Sequence, residues 1–319
     1  KIRGLTYETI AANGGGILAS AHRLGSMSED ELFAASLPRL HEVMRSGTGA
    51  IEIKSGYGLT VEHELKMLRV INRLSQAVDI PIKATFLGAH ALPVAYKDNR
   101  EGYISLIMDE MLPAIAAEKL AQYIDVFCER GFFTPEETER ICTAGRRYGL
   151  KPKIHANQLQ VSGGVQAGVR CGAVSVDHLE RMDEDAVGVL AASGTIGTLL
   201  PTAAFFLRMP FQPARTLIDA GCAIALATDF NPGSSPSGNM NFVVSLSCIQ
   251  MKMLPEEAIN AATINGAFAM EVEHEVGSIT KGKLANLILT KKIPSLNYIP
   301  YAFGTSSIDR VMAAGEWLS

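Results

Sequence analysis

KPKIHANQ (151–158), AVSVDHLE (173–180) and AIALATDFNPG (223–233) decide how this chain reads. Each is a short apolar run that stops at a side chain able to hold a metal: His155, His178 and Asp229. A polar ligand at the C-terminal tip of a buried parallel strand is how a β/α barrel builds an active site. Neutral imidazole and carboxylate together suit zinc or iron. One histidine at a strand end is easily an ordinary loop residue. Three such tips in order, with helical segments between them, point to a shared site.

Outward from these runs, the same rhythm continues. Strands are expected at 50–54, 81–86, 124–128, 151–155, 173–178, 195–200 and 223–229. Helix-period segments fall at 61–77, 103–118, 135–148, 165–170, 184–193 and 213–220, then at 241–251 and 255–269. Thr134 followed by Pro135, Glu136 and Glu137 predicts an N-cap with proline in the first turn. Alternation of this kind means crossover units and a parallel sheet. Seven strands are found where a closed barrel needs eight, and the deficit is at the front. Residues 5–24 read as loop and helix, as if they followed a strand. From about residue 271 the rhythm is lost. GSITKGKLANLILT (277–290) and SSIDRVMAAGEWLS (306–319) read as short strands with glycine turns. The expected organisation is a TIM-like α/β barrel over 1–270 that lacks its first strand, and the C-terminal part of a small β-domain over 271–319.

Composition narrows the function. The 319 residues are 47% hydrophobic and 19% charged, enough to bury a sizeable core. A net charge of −4 with no basic run argues against nucleic acid and anionic membrane as partners. No apolar run is long enough for a transmembrane helix. The five cysteines include no CxxC pair, which suits reduced thiols in the cytoplasm. Gly14–Gly16 and NPGSSPSG (231–238) lack a P-loop ending, so nucleotide binding is not expected.

The candidate residues each have a plainer reading. Asp229 could cap the Asn231–Pro232–Gly233 turn, but a carboxylate after so apolar a strand is costly unless paired or metal-bound. Asp177 and His178 should point to opposite faces of their strand, and His178 is expected at the barrel mouth. His90, in FLGAHALP, follows the 81–86 strand among small residues that leave room for a ligand. Tyr57, in KSGYGL, sits on a glycine-permitted turn after the first strand. His22, His41, His63 and His274 read as solvated surface.

GGGI (14–17), KSGYGL (54–59), FLGAHALP (86–93), DVFCERG (125–131), HANQL (155–159), VDHLE (176–180), LLPTAAFFLR (199–208), ATDFNPGSSP (227–236) and GSITKGKLANLIL (277–289) together resemble the imidazolonepropionases, amidohydrolase-superfamily enzymes of histidine degradation. The resemblance covers nearly the whole chain. It implies hydrolytic opening of the ring of 4-imidazolone-5-propanoate to N-formimidoyl-L-glutamate, in the cytoplasm, on one zinc or iron ion, in a homodimer. It implies His155 and Asp229 as metal ligands. It implies Tyr57, His90, Gln158, Asn231, Gly233 and Ser234 as substrate contacts, with Tyr7 as a further pocket tyrosine. His178 and Asp229 would be catalytic, with Gln158 beside them. Where some of the family carry glutamate at Gln158, an amide cannot act as a base, so that role passes to Asp229. No lysine ends the 124–128 strand, which favours a single metal. The family's His-x-His pair and nearby substrate-binding arginine have no counterpart here, so the chain is expected to be a fragment that is inactive alone. Another cyclic amidohydrolase or deaminase on the same scaffold, or a non-catalytic binding protein, remain as alternatives.

Overall fold

The computed structural model describes residues 16–318. Ten strands are found among the described residues: β1 (Ile51–Lys54), β2 (Ile82–Ala89), β3 (Tyr123–Cys128), β4 (Lys151–Ala156), β5 (Ser175–His178), β6 (Ile196–Leu199), β7 (Ile224–Leu226), β8 (Leu287–Thr290), β9 (Ile308–Ala313) and β10 (Glu316–Trp317). The first seven form one sheet in chain order, β1-β2-β3-β4-β5-β6-β7. The pairs β2/β3, β3/β4 and β6/β7 are parallel, as helical crossovers require. The seven expected strands are therefore all present. β8, β9 and β10 form a separate antiparallel sheet in the order β10-β9-β8.

The chain divides into two compact units. One comprises Lys1–Ser36, Glu52–Ala77 and Lys83–Val176; the other comprises Leu37–Ile51, Val78–Ile82 and Asp177–Ser319. The first unit holds β3 and β4 whole, and its core is built on the fully buried Phe86, Tyr103, Ile104, Tyr123, Ile124 and Ile154. β3 is buried at every position, the mark of a strand covered on both faces. The helix Val61–Ser75 turns Leu65, Leu68, Ile71 and Leu74 inward at helical spacing, while Thr60 accepts the His63 N–H at its start. The helix Pro135–Arg147 opens with the expected cap. The Thr134 hydroxyl accepts the Glu137 N–H, and the Glu137 carboxylate accepts the Thr134 N–H. In the second unit β6 and β7 are followed by the helices Pro201–Leu207, Met240–Met251 and Pro255–Ala262.

Some boundaries differ from the sequence reading, each for a physical reason. The helix expected over 103–118 begins at Arg100, capped by Asn99, and carries a π segment at Ile107–Met111. The 255–269 helix breaks at Thr263, whose φ of −122° and ψ of −90° leave helical space. The helix Pro201–Leu207 was not expected, because PTAAFFL is apolar on every side and shows no 3.6-residue contrast. β7 stops at Leu226, where its pairing with β6 ends, so Asp229 lies in the loop beyond the strand rather than at its last position. His41 and His63 are half-buried, not solvated; the His63 ring fills the space beside Gly25. His22 and His274 are exposed as expected. Tyr7, Gly14 and Gly15 lie outside the described residues.

Candidate active site

In the first unit, His155 is the penultimate residue of β4 and is 7% exposed. Its backbone N–H donates to Asp125 Oδ1 at 3.1 Å, and its ring Nδ1 lies 3.0 Å from the same oxygen. Asp125 is on β3, in register two positions before His155's own partner Phe127. A carboxylate on Nδ1 fixes the tautomer, so any metal would be taken through Nε2. Burial opposes ionisation of Asp125, but His155 and Lys54 outweigh it and hold its carboxyl well below the usual range. Lys54, the last residue of β1, reaches Asp125 at 2.8 Å and Glu52 at 2.7 Å. Lys153, 2% exposed, closes the other side of Glu52 at 2.6 Å, and the Thr85 hydroxyl donates to Glu52. Burial would raise the Glu52 carboxyl; Lys153 and Lys54 lower it to about 2. A chain of alternating charge thus runs from Lys153 through Glu52 and Lys54 to Asp125, whose carboxylate meets the His155 ring.

Tyr57 and His90 meet in the same unit. β2 runs to Ala89, so His90 follows it directly. The His90 ring stands edge-on to Tyr57, centroids 5.1 Å apart, and 6.0 Å from the His155 ring. Gly56 takes a φ of 104°, and an added Cβ would fall 2.8 Å from the Leu87 carbonyl oxygen. Only glycine fits that approach. Gln158, 8% exposed, sits two residues past β4, after Asn157 in the left-handed region at φ 54°. Its loop is held from below by Glu129, whose carboxylate accepts the Leu159 N–H at 2.8 Å, and by the Asn157 side chain, which accepts from the Ser162 hydroxyl.

In the second unit, His178 ends β5 and is 3% exposed, but its φ of 87° breaks the alternation assumed from sequence. Asp177 and His178 are both buried. His178 Nδ1 lies 3.6 Å from Glu180 Oε1, which also accepts from Gln212 Nε2 at 3.0 Å. Burial alone would lower the His178 pKa; Glu180, Asp229 and Asp177 raise it to about 9. Asp229, at φ 52°, is gripped by its own loop. Asn231 Nδ2 donates to Asp229 Oδ1 at 2.9 Å, and the Ser234 hydroxyl donates to Oδ2 at 2.6 Å. Asn231 Oδ1 accepts the N–H groups of Gly233 and Ser234, both at 2.8 Å. Asn231, Gly233 and Ser234 are therefore brought together, as supports of Asp229. Glu180 Oε2, Gln212 Oε1 and Ser235 Oγ are buried with no hydrogen-bond partner among the described residues.

Sequence reasoning missed Asp125, Glu52, Lys54, Lys153, Glu64 and Glu129. One signal was available: IEIK and KPKIH place charged residues at alternate positions of otherwise apolar strands, which is too costly inside a barrel unless the charges meet.

The amidohydrolase family pattern matches residues 40–318. The imidazolonepropionase of Flavobacterium johnsoniae is 60% identical over 99% of this chain and 77% of its own length. That of Geobacillus kaustophilus is 43% identical over 99% of this chain and 74% of its own. An adenosine deaminase from Xanthomonas campestris with bound zinc shares the fold at a TM-score of 0.74 and 17% identity, covering 98% of this chain and 74% of that one. The chain belongs to the amidohydrolase family, whose barrel its seven strands share, and within that family it belongs with the imidazolonepropionases. No described helix is long and apolar enough to cross a membrane.

Proposed function

We propose that this chain carries the strand-tip chemistry that opens the ring of 4-imidazolone-5-propanoate to N-formimidoyl-L-glutamate by hydrolysis. The observation that carries the reading is the 60% identity to an imidazolonepropionase across 99% of the chain. Two donors are chemically suited to a zinc or iron ion: the His155 imidazole, oriented by Asp125, and the Asp229 carboxylate, oriented by Asn231 and Ser234. We assign His155 and Asp229 as its protein ligands in this chain. When bound, the ion supplies a Lewis acid that polarises the ring carbonyl and acidifies water.

The remaining work falls to side chains. Asp229 takes a proton from the attacking water as oxygen adds to the ring carbonyl carbon, then returns it to the ring nitrogen as the C–N bond breaks. His178, cationic at neutral pH because its pKa is pushed up to about 9, faces the negative charge that develops on the carbonyl oxygen. Gln158 orients the ring, and Tyr57 and His90 contact the substrate. Residues 1–270 form the barrel and 271–319 contribute to a small β-domain, a division supported by the separate antiparallel sheet of β8–β10. Five free cysteines support a reducing cytoplasmic setting, and we take the active form to be a homodimer.

The test is comparative turnover of imidazolonepropanoate, hydantoin, dihydroorotate and guanine, on metal-replete protein with its native termini. Imidazolonepropanoate should be preferred by several orders of magnitude. Turnover confined to another ring would replace this reading with that of a different cyclic amidohydrolase or deaminase.

A further inference from the structure

A buried glutamate outside the strand tips organises two of the substrate-contact residues. Glu64, in the first turn of the helix Val61–Ser75, is completely buried. Its side chain turns back into the loop that precedes the helix. Oε2 accepts the Gly56 N–H at 3.0 Å; Oε1 accepts the N–H groups of Gly58 at 2.7 Å and Leu59 at 2.9 Å. The Ser55 hydroxyl also bonds to this carboxylate, and its oxygen accepts the Leu87 N–H at 3.0 Å, which ties the loop to β2. Thus a single carboxylate takes hydrogen bonds from four of the five residues Ser55–Leu59, and the fifth is Tyr57.

The backbone has been shaped to make this possible. A Cβ on Gly58 would lie 2.4 Å from the Glu64 nitrogen, so the loop rests directly on the first helical turn. With Gly56 fixed, its carbonyl oxygen meets His90 Nδ1 at 3.1 Å. A carbonyl can only accept, so His90 carries its proton on Nδ1. The Tyr57 ring then packs edge-on against His90.

We propose that Glu64 is a positioning residue that sets the Tyr57 side chain and the tautomer of His90 for substrate binding. It touches no substrate itself. The proposal rests on the reading of Tyr57 and His90 as substrate contacts given above. Glu64→Gln nearly preserves volume but replaces one acceptor oxygen with an NH₂ group, which opposes the backbone donors of the loop.

The test uses protein with native termini and three readouts. E64Q should raise KM for imidazolonepropanoate about tenfold while kcat changes less than about threefold, the pattern of lost uniform binding. In a Tyr57→Phe background the same change should raise KM less than about twofold, because the two residues act as a unit. The ring ¹⁵N spectrum of His90 should show one Nδ1-protonated tautomer in the wild type and a mixture in E64Q. If E64Q does not fold, Ser55→Ala removes one of the four donors and should give the same changes more weakly. A variant that lowers thermal stability but keeps wild-type KM and the His90 spectrum would overturn the proposal, as would full additivity with Y57F. Failure of the wild type to turn over imidazolonepropanoate would sink the substrate assignment. The His90 spectrum would still decide the role of Glu64.

Discussion

The strand tips before Val176 and those after it are built on opposite electrostatic plans. In the first unit, Lys153, Glu52, Lys54 and Asp125 alternate in sign, each has an oppositely charged partner within 3.0 Å, and Asp125 also contacts the His155 ring. In the second, one imidazole, His178, faces Glu180, Asp229 and Asp177, while Glu180 Oε2, Gln212 Oε1 and Ser235 Oγ have no partner among the described residues. The backbone leaves the extended region at tips in both units: Asn157 takes φ 54° in the first, and His178, Leu179 and Asp229 take 87°, 66° and 52° in the second. Strain and unsatisfied polarity persist where surrounding structure enforces them, and they concentrate at sites of chemistry. The contrast separates a half whose buried charges are paired from a half that leaves buried polar atoms without partners among the described residues.

The largest expected effect lies in the second unit. Asp229→Asn keeps the size of the side chain and removes its basicity. Turnover should fall about 10²- to 10⁴-fold, the range for loss of a positioned acid–base group. Unfolding free energy should fall by only about 1–2 kcal/mol, because the new amide opposes one of the two donors, Asn231 Nδ2 or Ser234 Oγ. Paired kinetic and urea measurements on the same preparation check both. A variant that loses stability as steeply as activity would mean that Asp229 mainly supports the fold.

The converse change is Lys153→Met. It removes a cation that is 2% exposed, bonded to Glu52 and stacked 4.7 Å above the Tyr123 ring. Breaking a buried pair leaves an uncompensated charge and costs about 3–5 kcal/mol. The urea midpoint should fall accordingly. A loss under about 1 kcal/mol would mean that Lys54 alone satisfies Glu52, and that the charge chain is less of a unit than its distances suggest.

Acid and base should report on the two halves separately. Glu52 is held at about 2, below its usual 4.5, so its contribution is fully present above pH 4.5 and is lost as pH falls through 2. His178 is raised to about 9 from 6.5, so its contribution is fully present below pH 6.5 and is lost as pH rises through 9. Each shift corresponds to a contribution on the order of 3 kcal/mol. Glu52→Gln should flatten only the acid limb of the stability profile, and His178→Gln only the alkaline limb. Both limbs responding to one substitution would break the separation.

The legible part of this molecule was the part written in local pattern. Strand–helix alternation located all seven sheet strands, because a buried parallel strand and an amphipathic helix each have a period visible within a short window. Thr134 with Glu137 was legible for the same reason. His155, His178 and Asp229 could be singled out because a polar residue after an apolar run stands out. What escaped depended on distance in sequence. Lys153 meets Glu52 across 101 residues, and Asp125 meets His155 across 30. Glu64 was hidden differently. It looked like an acidic residue in a first helical turn, where such residues are common for dipole reasons. Nothing local reveals that it faces backward into the loop. His178 shows the limit of periodicity itself: alternation assigns opposite faces to Asp177 and His178 only while the backbone stays extended, and at φ 87° it does not.

The smallest expected effect calibrates the others. Thr134→Ala removes the hydroxyl that accepts the Glu137 N–H, and with it one half of a reciprocal cap. The Glu137 carboxylate keeps its bond from the Thr134 N–H at 2.8 Å and its pair with Arg100, so the helix start is weakened but not released. Loss of such a cap costs about 1 kcal/mol. The site lies in the first unit, yet outside the charge chain. Thr134→Ala should therefore shift the urea midpoint by about a third or less of the Lys153→Met shift, and leave KM and the acid limb unchanged. Equal losses in the two variants would show that the first unit is uniformly fragile, and that its alternating charges hold no more than an ordinary helix cap does.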